Sequence, residues 1–169
     1  ALSFICFFFF FFFCLFLVYP RGGARGTLTG PGLCLTMPRM DFAARITRHP
    51  LAADPDRARH VLSLFPTLDP ALAALVGGAA GCSPYLAGLL QKEADWLPGA
   101  LGRDDVVARE TAGFDGLSPE DLAVALRRAK RRVALYAALA DLGGVWPLEQ
   151  VTGALSDLAD RAVDLALRV

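Results

Sequence analysis

The chain has 169 residues, enough for one domain of ordinary size, with 17 basic residues balancing 17 acidic ones. From Met37 onward 15 basic residues face 17 acidic ones, a net charge of about −2, which exerts no long-range pull on nucleic acid or anionic lipid. The four cysteines form no CxxC pair and share no repeated spacing with His49 and His60, which argues against a zinc site or a disulfide framework.

The amino-terminal segment differs in kind from the rest. Nine of the 12 Phe lie in the first 19 residues, seven of them unbroken from Phe7 to Phe13. Ala1 to Tyr19 is uncharged and meets the length rule for a membrane span, with Pro20 and Arg21 at its end. No basic region precedes it, so it does not read as a signal peptide. A Phe homopolymer also lacks the mixed aliphatic composition of most spans. The remainder carries Ala, Gly and Arg in quantity, with 15 Arg in the whole chain against Lys92 and Lys130 alone, as a GC-rich gene produces. A Phe tract needs T-rich codons. Residues 1–39 are therefore expected to be translated non-coding DNA, with Met37 or Met40 as the natural start; the competing expectation is a membrane anchor over residues 1–19.

From Asp41 on, helical patterning is punctuated by Pro and Gly. Asp54-Pro55-Asp56 predicts a helix through Phe65, with Asp54 as cap and Pro66 as stop. Asp69 to Val76 predicts a second, ended by Gly77-Gly78. Ser83-Pro84 opens a third, through Leu86, Leu89 and Leu90 to Trp96, with Pro98-Gly99 beyond it. Arg103 to Thr111 is a fourth. No segment alternates with period 2, so no strand is expected. Cys82 is the single cysteine of this part, which fits a reducing, cytoplasmic compartment.

The last 52 residues carry the clearest pattern. Ser118-Pro119-Glu120-Asp121 reads as a cap, a proline in the first turn, and an acid able to return the capping bond. Leu122, Leu126, Ala129, Val133, Tyr136 and Ala140 then form one helical stripe. Gly143-Gly144 ends it. Pro147 starts the next helix, whose stripe is Leu148, Val151, Leu155, Leu158, Ala162, Leu165 and Val169, with Asp157/Arg161 and Asp164/Arg168 as i,i+4 pairs. Two helices of about 23 residues, about 35 Å long, joined by a short turn, predict an antiparallel hairpin. The stripe persists to Val169, so the natural protein is expected to continue.

Arg127, Arg128, Lys130, Arg131 and Arg132 place five cations within six residues. No acid lies three or four positions from any of them, and the like-charge i,i+4 pairs are unfavourable by a few tenths of a kcal/mol each. Compensation is expected from Asp157 and Asp160 across the hairpin seam. The alternative is a docking surface for an acidic partner or a nucleotide's phosphates. Neither Gly-Gly pair has phosphate-loop spacing. Asp54/Asp56 and Asp104/Asp105 could hold Mg²⁺, but capping explains them more simply. Trp96 and Trp146 suit core packing at helix ends, and Ser83 lacks the partners of a nucleophile.

Several stretches resemble the bifunctional glutamine synthetase adenylyltransferase/adenylyl-removing enzyme. They are Asp41-Phe-Ala-Ala-Arg-Ile-Thr-Arg48, Ser83-Pro-Tyr-Leu-Ala-Gly-Leu-Leu90 with Glu93-Ala-Asp-Trp-Leu97, Leu126-Arg-Arg-Ala-Lys-Arg-Arg132, Ala138-Leu-Ala-Asp-Leu-Gly-Gly-Val-Trp146 and Val151-Thr-Gly-Ala-Leu-Ser-Asp-Leu-Ala159. The likeness runs from about residue 40 to the end and is greatest to alphaproteobacterial members. It implies a full protein that transfers AMP from ATP to a tyrosine of glutamine synthetase and removes it by phosphorolysis. It also implies ATP and Mg²⁺, held by a Gly-rich turn and an Asp-x-Asp pair in a nucleotidyltransferase core.

That motif is missing from this chain, so the resemblance transfers no catalytic, metal or cofactor-binding residue to it. The expectation is an all-α fragment, residues 40–169: a helical lead-in ending in the long hairpin, cut before the nucleotidyltransferase core of the adenylyl-removing half. Its expected partners are that core, glutamine synthetase and a PII-type signalling protein. A membrane-anchored helical interaction module remains the competing class.

Overall fold

The computed structural model describes residues 41–103 and 105–168; the Phe-rich segment, Cys6, Cys14, Cys34, the candidate starts Met37 and Met40, Asp104 and Val169 lie outside them. A 3₁₀ turn at Ala43–Arg45 is followed by α1 (Pro55–Leu62), α2 (Pro70–Cys82), α3 (Pro84–Lys92), α4 (Leu97–Leu101), α5 (Val106–Glu110), α6 (Pro119–Leu142) and α7 (Leu148–Ala166). The described residues contain no strand and are all-α, as expected.

Four of these helices begin in the same way. A short polar side chain accepts a bond from a first-turn amide, and a proline occupies the first helical position, where a missing N–H leaves nothing unsatisfied. Asp54 accepts from Arg57 N at 3.0 Å, Asp69 from Ala71 N at 2.9 Å, Ser83 from Leu86 N at 3.3 Å and Ser118 from Asp121 N at 3.1 Å. Ser118 Oγ also donates to Asp121 Oδ2 at 2.9 Å, so the acid answers the cap through its hydroxyl.

Several helix boundaries differ from expectation: α1 ends at Leu62 rather than Phe65, and at α2 and α3 the reason is packing. Helix α2 does not end at Gly77-Gly78 but continues to Cys82, with both glycines buried. They serve close approach: a Cβ at Gly78 would sit 2.0 Å from the Pro50 carbonyl oxygen, and one at Gly81 would sit 2.3 Å from the Ala52 Cβ. The extended segment before α1 thus lies against bare α2 backbone. Arg57 of α1 then donates to the carbonyls of Ala80 (2.8 Å) and Gly81 (2.6 Å), satisfying the carboxyl end of α2. Helix α3 stops at Lys92 rather than Trp96, and Pro98-Gly99 lie inside α4. The break lets Glu93 turn inward. Helix α5 is shorter than the expected span from Arg103 to Thr111.

The hairpin forms as expected from α6 and α7. Gly143 is its cap and Gly144 adopts φ +67°, the left-handed conformation that ends the first helix. The turn is also tied down from outside: Thr47 and Arg48 amides both donate to the Gly143 carbonyl, at 2.8 and 3.2 Å, and the Arg48 guanidinium reaches the Asp141 carbonyl at 2.7 Å. Helix α7 is shorter than expected, 19 residues, and Leu148 at its start is exposed.

Two apolar clusters run along the hairpin. The larger joins Tyr136, Leu135 and Leu139 of α6 to Val61, Leu75, Val76, Leu90, Leu97 and Leu101 of the lead-in helices. Tyr136 is its centre, edge-on to Phe42 at 5.4 Å and to Trp146 at 5.3 Å. Its hydroxyl donates to the Arg103 carbonyl at 3.0 Å, so its polar end is satisfied. The smaller cluster holds Leu122, Ala125, Ala129 and Val133 of α6, Leu158 and Leu165 of α7, and Phe114 from the connection before α6.

Candidate functional site

The basic run on α6 is divided in two by the fold. Arg127, Arg128 and Lys130 are exposed, whereas Arg131 and Arg132 turn toward the lead-in helices and are partly covered. The acids that balance this second pair are not Asp157 and Asp160, as the hairpin geometry suggested, but Glu93 and Glu110. Arg131 Nε donates to Glu93 Oε1 at 3.0 Å and Arg132 Nε to Glu93 Oε2 at 2.8 Å, so each carboxylate oxygen has its own guanidinium. Arg132 Nη1 also reaches Glu110 Oε2 at 3.2 Å, and Trp96 Nε1 donates to Glu110 Oε1 at 2.9 Å. The Arg132 guanidinium lies 5.0 Å from the Trp96 ring centre, within cation–π range.

Glu93 is 5% exposed, the one charged residue buried among the described residues. A carboxylate in that position is tolerable only when paired and hydrogen-bonded, and two guanidiniums meet both needs. Burial opposes the charge on Arg132, but its hydrogen bonds to Glu93 and Glu110 outweigh that, so the guanidinium is held above its ordinary value. Arg132 is therefore a permanent cation at the centre of the network. The network's chemical capacity is to fix α3, α4 and α5 onto α6, while Arg127 and Arg128 stay exposed on the same helix.

The remaining candidates are accounted for locally. Asp54 and Asp56 stand at the start of α1, where Asp54 pairs with Arg57 at 3.1 Å and Asp56 pairs with Arg59. Asp105 pairs with Arg109 at 2.5 Å, and that hydrogen bond holds its carboxyl below the usual value. Arg161 reaches Asp115 at 3.3 Å in place of the expected pairing with Asp157. His49 and His60 are both exposed. No group of three or more His, Cys, Asp or Glu that could hold a metal exists among the described residues. With their carboxylates committed to arginines on helix caps, Asp54, Asp56 and Asp105 do not fit a Mg²⁺–nucleotide centre. An open groove of about 540 Å³ lies between α5 and the start of α7, lined by Val107, Ala108, Trp146 and Ala154 with Asp105 and Asp157. Among the described residues, no helix is long and apolar enough to cross a membrane.

Glu93 and Glu110 escape the sequence reading because they lie 38 and 22 residues from the arginines they meet. The available signal was indirect: five cations without a local acid require a distant one.

Comparison with known proteins agrees with the likeness seen in the sequence. The family model for glutamate-ammonia ligase adenylyltransferase matches residues 75–169, which takes in α3 to α7 and most of α2. Bifunctional glutamine synthetase adenylyltransferase/adenylyl-removing enzymes from two Bradyrhizobium strains are 36% and 37% identical over 148 residues, covering 75% of this chain. The same enzyme from Caulobacter vibrioides is 43% identical over 91 residues, 50% of this chain and 9% of the relative. The chain spans about 15% of the length of the Bradyrhizobium relatives. No solved structure matches it. A family match over more than half the chain, spread across the helices that build the charged network and the hairpin, places this chain in the glutamate-ammonia ligase adenylyltransferase family.

Proposed function

We propose that residues 40–169 are the amino-terminal helical part of the adenylyl-removing half of an enzyme that adenylylates and deadenylylates glutamine synthetase. In this reading the unit acts in the cytoplasm and performs no chemistry of its own. ATP, Mg²⁺ and the Asp-x-Asp carboxylates belong to a nucleotidyltransferase core elsewhere in the polypeptide. The unit is a scaffold: the hairpin packs on that core, and the outward face of α6 meets an acidic surface of glutamine synthetase. A PII-type signalling protein would act on the same assembly.

The observation that carries this reading is the division of the basic run. Arg131 and Arg132 are consumed by Glu93 and Glu110, while Arg127 and Arg128 remain exposed on the same helix of a chain matched to this family. Exposed charges of one sign act chiefly on encounter and register with a partner.

The test uses the full-length enzyme. R127E/R128E should raise KM for glutamine synthetase on the order of ten-fold with kcat unchanged, a loss of about 1.4 kcal/mol. Unchanged KM at low ionic strength would remove the docking role. Purified residues 40–169 should transfer no AMP to glutamine synthetase, and measured transfer would overturn the scaffold reading.

A further inference from the structure

The stretch that runs from just before α5 through its connection to α6 lies along the hairpin as a strap, and its attachments differ at its two ends. Its upstream end is held to the inner part of α6, where the large cluster sits. There Glu110 is bound by Arg132 and Trp96, Tyr136 bonds the Arg103 carbonyl, and Val106 is buried. Its downstream end rests on the outer part of the hairpin through one buried side chain, Phe114, and one exposed ion pair, Asp115 to Arg161 at 3.3 Å.

The outer part depends on that contact. Of the buried members of the smaller cluster, six come from α6 and α7 themselves, and Phe114 alone comes from outside the two long helices. Two helices cannot bury an apolar stripe completely against each other; a third surface must cover the seam. Here that surface is the buried Phe114 ring, with the half-buried Val107 of α5 beside it. The inner part of α6, by contrast, packs against α2 and α3 as well as α7. Phe114 is flanked by Gly113 at φ +76° and Gly116 at φ +79°. An added Cβ at either would meet nothing within 4 Å, so these glycines are required by their left-handed backbone alone, as at pivots.

We propose that Phe114 is a releasable plug: the strap lifts between Gly113 and Gly116, and the outer half of the hairpin opens as a unit while the inner half stays folded. The open state turns Leu122, Leu158 and Leu165 to solvent. Sub-global opening of this kind follows from uneven burial along one element.

Hydrogen–deuterium exchange on the intact chain reads this directly. Amides of residues 122–130 and 158–166 should exchange at least about ten-fold faster than those of 134–142, through an opening smaller than global unfolding. F114A should accelerate exchange of the outer amides by about ten-fold or more and leave 134–142 within about two-fold. F114L, which keeps most of the plug's volume, should restore most of the protection. G113A/G116A, which strains the closed strap, should act in the same direction as F114A. Equal protection along the whole of α6 would overturn the proposal. So would loss of protection throughout the chain in F114A, which is the behaviour of a single cooperative unit.

Discussion

Glu93 is the residue on which the sequence and the fold meet least obviously. It lies just past the end of α3, in the turn that leads to α4, and it is the charge that makes the α6 arginines compatible with packing. A glutamine there preserves shape and one hydrogen-bond acceptor but removes the negative charge from between two guanidiniums. Breaking a fully buried pair by losing one partner costs roughly 3–5 kcal/mol. The arginine side chains are 38% and 23% exposed, so water screens part of the loss. We expect E93Q to destabilise the chain by about 2 kcal/mol in urea unfolding, and E110Q, whose amide oxygen can still accept from Trp96, by under about 1 kcal/mol. Equal effects would mean that Glu93 carries no special share of the pairing. The sequence exposed the need for such an acid through the uncompensated run at Arg127–Arg132. It did not expose which acid, because pairing across 38 residues is set by the angle at which α3 meets α6.

Helix starts were legible because their chemistry is local. Asp54-Pro55, Asp69-Pro70, Ser83-Pro84 and Ser118-Pro119 each cap a helix as their residue types dictate. Helix ends were legible only where the local signal was also the structural one, as at Gly144 with its positive φ. Gly77-Gly78 carries the same composition for a different reason, the approach of Pro50, and the period of a sequence cannot register a neighbour arriving from outside the helix. A pair of substitutions separates the two uses of glycine. Gly88 in α3 has open space at its Cβ position, so G88A should stabilise by about 0.5–1 kcal/mol through helix propensity. G78A enjoys the same propensity gain but drives a methyl to 2.0 Å from a backbone oxygen. We expect it to lower stability by about 2 kcal/mol or more, since the backbone of residues 50–54 must retreat. Thermal denaturation of the two variants checks the sign. A stabilising G78A would show that the close approach is not required.

At the scale of the whole molecule, the two long helices keep apolar side chains on their outer surface. Val124 of α6 is 58% exposed and Val163 of α7 59%, and Leu167, just past the end of α7, is 81% exposed. Single exposed apolar residues are ordinary. These belong, however, to a chain that spans about 15% of the length of its Bradyrhizobium relatives. The proposed scaffold role of the hairpin predicts that this face is covered in a polypeptide of the relatives' length. V163E puts a charge at an exposed position of α7 and should shift the stability of the chain itself by no more than about 0.5 kcal/mol. In a polypeptide of the relatives' length the same charge would be buried without a partner, at a cost of about 1–3 kcal/mol. Comparing the Tm shift of V163E in both lengths distinguishes the cases. A shift as small in the long protein as in the short one would mean that the core packs elsewhere and that this face of α7 stays in water.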